Sequence, residues 1–120
     1  MSNELKIGVT MSFKKSGAEI AKAKNISVDV TGDSYTAGVQ EIGTANEEVV
    51  QGGEVGTPGY VYLRNLHASA SIQVGPTNTT EYLVKLLAGQ FCIFPLETTA
   101  TGIWAKASAA ANLEFIIFEL

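Results

Sequence analysis

The stretch ELKIGVTMSFKK, residues 4–15, decides the fold class. Leu5, Ile7, Val9, Met11 and Phe13 alternate without a break with Lys6, Gly8, Thr10, Ser12 and Lys14. Successive strand side chains leave the backbone on opposite faces, so a period of two predicts a half-buried strand with its apolar face inward.

The same period recurs along the chain. In NISVDVTG, residues 25–32, Ile26, Val28 and Val30 oppose Ser27, Asp29 and Thr31, and a turn at Gly32 and Asp33 ends the run. SYTAGVQEIG, residues 34–43, alternates through Tyr35, Ala37 and Val39 and then changes phase at Ile42, which predicts a bulge or a strand end. Residues 45–57, ANEEVVQGGEVGT, read as an acidic, glycine-rich loop holding a short strand around Val49. From Pro58 onward GYVYLRN, SASIQVG, EYLVKLL, QFCIFPL, GIWAKA and NLEFIIFEL follow one another with turn residues between them. Short strands at such spacing predict an all-β protein, a sandwich or a barrel, with short loops and little helix; the expectation adopted, together with the family resemblance given below, is an antiparallel β-sandwich, jelly-roll-like.

Two alanine-rich segments, GAEIAKAK (17–24) and KASAAAN (106–112), are too short for an isolated helix and carry no apolar stripe. Both are expected to be loop or a single turn. The final strand has two apolar faces, Leu113, Phe115 and Ile117 on one and Ile116 and Phe118 on the other. It needs cover on both sides, from its own fold or from a neighbouring subunit.

With 120 residues, 46% hydrophobic and 17% charged, the chain is expected to be one globular domain over residues 1–120, which excludes a disordered tail protein. The net charge of -4 argues against a nucleic-acid partner, because phosphate neutralisation needs a basic surface. No apolar run approaches membrane-spanning length, so no membrane partner is expected. The opening MSNELKIGVT has an early acid and no apolar core of a signal peptide, and Cys92 stands alone, so synthesis in a reducing cytoplasm is expected. Residues 1–24 carry Lys6, Lys14, Lys15, Lys22 and Lys24 against Glu4 and Glu19, whereas residues 25–56 carry six acids and no base. Residues 1–24 therefore read as a basic N-terminal strand or arm, and such a dipole either attracts within the fold or steers assembly with another subunit.

No catalytic constellation stands out. Cys92, between Phe91 and Ile93, reads as a core residue with a raised pKa and has no G-x-S-x-G or base beside it. One Cys and one His do not make a zinc site, and Asp29 and Asp33 read as turn residues before calcium ligands. GGEVGTPG lacks the lysine and the following helix of a phosphate loop. The expectation is no enzyme, no metal and no cofactor. His67 and Arg64 fall together in GYVYLRNLHASASIQVG, residues 59–75. There Val61 and Leu63 point inward before a bend over Asn65 to Ser69, and Ala70, Ile72 and Val74 point inward after it. His67 is then an exposed hairpin histidine beside an arginine that cannot act as a base. In GIWAKA the inward set Ile103, Ala105 and Ala107 leaves Trp104 facing outward with Lys106, a candidate interface anchor; Tyr60 and Tyr62 raise the same question.

Residues 56–119, with GTPGYVYLRNL, SIQVG, LLAGQF, IFPL, IWAKA and LEFIIFE, resemble small β-sandwich virion proteins encoded by tailed bacteriophages. In those proteins an N-L-D-A-like turn precedes an I-x-V-G strand, and an A-K-A segment precedes an apolar L-E-x-x-I-F-E strand. Here His67 replaces the acid of the turn and Trp104 a common tyrosine. The resemblance implies a structural role: a capsid cement or decoration protein on the outside of a phage head, with the major capsid protein as partner. It also implies a closed homo-oligomer, a trimer before a dimer. Lys14, Lys15, Lys22, Lys24, Arg64, His67 and Trp104 are the candidate partner contacts. The alternatives are a tail or head-to-tail connector component, and a carbohydrate-binding module in which Trp104 and the tyrosines form a stacking platform.

Overall fold

The computed structural model describes residues 4–28, 35–49, 58–75, 81–96 and 103–119. The chain divides into two compact units, residues 1–31 and 32–120.

The first unit is a hairpin of β1 (Leu5–Lys15) and β2 (Ala18–Val28), paired antiparallel from Leu5 opposite Val28 to Lys15 opposite Ala18. Two residues connect them, Ser16 at φ 52 and Gly17 at φ 85. Positive φ at both central positions is what a two-residue turn needs to match the right-handed twist of its strands. GAEIAKAK is therefore strand and not the expected loop. Its alanines and lysines show little periodicity, but the turn and the alternating partner strand hold it in register. A second expectation also fails: the apolar face of β1 is not turned inward. Val9, Met11 and Phe13 are 52%, 56% and 49% exposed, and Ile20 and Ile26 beside them are 51% and 47% exposed.

The second unit is a β-sandwich of two four-stranded antiparallel sheets. One sheet has the order β3 (Tyr35–Ile42), β10 (Ala111–Glu119), β5 (Pro58–Asn65), β8 (Phe91–Pro95). The other has β4 (Glu47–Glu48), β9 (Trp104–Ala107), β6 (Ile72–Gly75), β7 (Val84–Leu86). Among the described strands from β3 to β10, β6 and β7 are the one consecutive pair in the same sheet; the other consecutive strands alternate between the two sheets. Between the sheets lies one core. Val61, Leu63, Leu113 and Ile117 come from the first sheet, and Ile72, Val74, Ala105 and Ala107 from the second, with Val49 and Ile103 beside them. The inward sets expected for β5, β6, β9 and β10 are all buried. Of KASAAAN only residues 108–110 are the expected bend; Lys106 and Ala107 belong to β9, and Ala111 and Asn112 to β10.

β3 departs from expectation. It ends at Ile42, the strand end that the phase change allowed, and pairs with β10 without a shift from Ile42 opposite Ala111 to Tyr35 opposite Phe118, so the alternative of a bulge is not taken. Its inner face is Thr36, Gly38, Gln40 and Ile42, and its apolar residues Tyr35, Ala37 and Val39 are exposed. Physical reasons are visible at two positions. A Cβ on Gly38 would stand 3.2 Å from Cζ of Phe115, so glycine makes room for that ring. Gln40 donates to Oε1 of Glu47 at 3.2 Å and to the carbonyl of Glu48 at 3.0 Å, tying β3 to β4.

The Gly32–Asp33 turn, both candidate calcium aspartates and nearly all of the GGEVGTPG segment lie outside the described residues.

Candidate functional site

Two surfaces stand out, and both are apolar sheet faces turned to solvent. On the hairpin, the cross-strand register puts Leu5, Ile7, Val9, Met11 and Phe13 on one face with Ile20, Ile26 and Val28. Lys15, Lys22 and Lys24 share that face, and no acid does. Lys14 stands on the opposite face, across from Glu19.

On the sandwich, the outer face of the β3-β10-β5-β8 sheet is built in rows. One row is Tyr35, Phe118, Tyr60 and Pro95, the next Ala37, Ile116, Tyr62 and Ile93, and the third Val39, Glu114, Arg64 and Phe91. The edges are open, with Tyr35 63%, Val39 56% and Phe91 60% exposed. Tilted ring pairs tie the rows together: Tyr35 to Phe118 at 6.2 Å and Tyr62 to Phe91 at 6.1 Å between centroids. At strand spacing the three rows cover roughly 400 Å², apolar except for Glu114 and Arg64 in the third row, and apolar patches approaching this size on monomers are often functional. The second apolar face expected of the last strand, Ile116 and Phe118, lies at the centre of this patch and is half-buried.

The other sheet is different outside. Glu48, Trp104, Gln73, Lys106 and Lys85 occupy its outer positions, a mostly polar surface. Trp104 is half-buried there, on the opposite side of the sandwich from Tyr60 and Tyr62. These three aromatics therefore do not share one platform.

The connection after β5 is a hydrogen-bonded device. Asn65 is completely buried; its Nδ2 donates to the carbonyls of Ala70 at 2.8 Å and Leu86 at 3.0 Å, and its Oδ1 accepts from the His67 N–H at 2.9 Å. His67 is half-buried, and its Nδ1 accepts the N–H groups of Ser69 at 2.9 Å and Ala70 at 2.8 Å. An acceptor at Nδ1 places the ring proton on Nε2. His67 thus organises its own loop, whereas Arg64 lies on the exposed sheet face opposite Glu114 and Phe91.

Cys92 packs half-buried against the core from β8, and burial raises its thiol pKa, opposed in part by a backbone hydrogen bond at Leu63. Among the described residues no three His, Cys, Asp or Glu side chains come together as a metal site, and no helix is long and apolar enough to cross a membrane.

Within the sandwich, Arg64, His67 and Trp104 do not form one patch. Lys14, Lys15, Lys22 and Lys24 belong to the hairpin, Arg64 to one sheet, Trp104 to the other, and His67 to a loop. The larger surface, the outer face of β3-β10-β5-β8, escaped a residue-by-residue reading because β3 shows its apolar residues outward. Tyr60 and Tyr62, and the second apolar face of the last strand at Ile116 and Phe118, are its visible signals. No family model, curated protein or solved structure matches the chain.

Proposed function

We propose that the chain is a structural virion protein, a capsid cement or decoration protein that binds the outer surface of a phage head and stabilises it. The carrying observation is a β-sandwich whose exposed chemistry is two apolar sheet faces, one on a lysine-rich hairpin. Such surfaces bury on association, and assembly is what they serve. The strand order, with β3 beside β10 and the other described strands alternating between the sheets except at β6 to β7, is compatible with a jelly roll, an architecture that capsid-associated domains use, and this compatibility supports the reading.

The partner is the major capsid protein. Lys14 and Lys15, beside the turn of the hairpin, reach acidic patches of the lattice, and a subunit that binds only the mature lattice stabilises it by mass action. Synthesis is in the host cytoplasm and residence on the capsid surface. The test is co-sedimentation with undecorated heads at low and high salt, with head melting followed alongside. Saturable binding that raises the melting temperature of the heads and weakens on Lys14→Glu/Lys15→Glu supports the reading; no binding at either salt concentration overturns it. A tail or head-to-tail connector role is distinguished by copy number, hundreds per particle for cement and a handful for a connector.

A further inference from the structure

We infer that the hairpin of one copy docks its apolar face on the outer face of the β3-β10-β5-β8 sheet of a second copy. An isolated two-stranded hairpin is marginal in water, so a hairpin of two 11-residue strands, whose one face is apolar along β1 from Leu5 to Phe13 and interrupted on β2 by Lys22 and Lys24, gains from a covering surface. The sandwich offers a sheet face of suitable size, with Tyr35, Val39 and Phe91 exposed on it.

Charge selects the pairing. The hairpin face carries Lys15, Lys22 and Lys24 and no acid, so two hairpins stacked face to face would oppose lysine to lysine. The sandwich unit has nine acids against three bases, with Glu41 and Glu114 on the outer face beside Arg64, so two sandwich faces would also repel. Five lysines against three acids in the hairpin unit leave hairpin on sandwich as the one attractive combination.

Area agrees. Eleven residues at about 3.3 Å and a width of about 10 Å give a footprint of roughly 300 to 350 Å², or about 600 to 700 Å² counting both surfaces. When each copy gives one arm and receives one, about 1,200 to 1,400 Å² is buried, at the lower end of stable interfaces. Because the two patches differ, the contact closes as a reciprocal pair or as a ring. The inference does not depend on a capsid being the final partner.

The experiment uses full-length chains with Cys92→Ser. A Met11→Cys chain, isotope-labelled, is mixed with an unlabelled Ile116→Cys chain and treated with a short bismaleimide. The expected product is the mixed-mass heterodimer, and Phe13→Asp on the arm or Ile93→Lys on the sheet weakens self-association at least 100-fold in sedimentation. Neither of those two residues belongs to the core, so circular dichroism should stay unchanged for both. No mixed-mass product while a separately prepared chain carrying both Met11→Cys and Ile116→Cys crosslinks only internally, crosslinks only between Met11→Cys chains, or a monomer at all accessible concentrations would each overturn the inference. Loss of head binding with the heterodimer intact would instead count against the cement reading alone.

Discussion

Replacing Asn65 by alanine removes three hydrogen bonds from a completely buried site. At about 1 kcal/mol each they amount to about 3 kcal/mol. The void left by the carboxamide adds roughly 1 kcal/mol, for a total near 4 kcal/mol in a domain of a size usually stable by about 5 to 15 kcal/mol. The loss should appear as a lower urea midpoint with an unchanged slope. Asn65→Asp sharpens the test. It keeps the shape and the acceptor for the His67 N–H but aims a second oxygen at the carbonyls of Ala70 and Leu86, so it should be worse than alanine at neutral pH. The buried carboxyl, lacking a cation, has its folded pKa raised above the unfolded value of about 3.9. The folded state then binds more protons, and the deficit shrinks as pH falls through the raised pKa. An Asn65→Ala loss below about 1.5 kcal/mol, or an aspartate deficit that does not shrink on acidification, would refute the keystone role.

Three further outcomes follow from the same geometry. His67→Ala removes the acceptor of two backbone N–H groups and should cost about 1 to 2 kcal/mol in urea unfolding, while His67→Asn, whose Oδ1 occupies the place of Nδ1, should recover most of it. Gly75→Ala drives a Cβ into the backbone carbonyl of Glu81 and should cost about 1 to 3 kcal/mol, whereas at Gly8 the nearest atom is the movable end of Asn25, and thermal melts should show a much smaller loss. Cys92, its pKa raised by burial, should react slowly with a thiol reagent at neutral pH and quickly in urea. Because the unfolded thiol loses its proton first, the contribution of this group lowers stability as pH rises above the unfolded pKa, and Cys92→Ser should remove that slope.

Much of the sandwich was legible because its strands obey one rule. In β5, β6, β9 and β10 the alternating apolar residues are the buried ones, down to Ala105 and Ala107. The rule fails where burial is not what orders the strand. In β3, Gly38 gives way to Phe115 and Gln40 binds β4, so the inner face is small and polar while Tyr35, Ala37 and Val39 face out. β2 is held by a turn and a partner strand, neither of which shows in the periodicity of its own residues. Asn65 and His67 look like ordinary turn residues, since nothing in NLHAS distinguishes an asparagine facing water from one bonded to two buried carbonyls. The candidate site suffered most, because an outward apolar face is visible only once the inward face is known.

β10 lies between β3 and β5, bonded to residues that precede it by much of the chain, such as Tyr35 opposite Phe118. During synthesis, β3 and β5 emerge early with no strand to join them. The sheet closes only when residues 111–119 leave the ribosome. Folding of the sandwich therefore waits for β10 and depends on slow long-range pairing. Until that moment the nascent chain shows unpaired edges and is a client for chaperones.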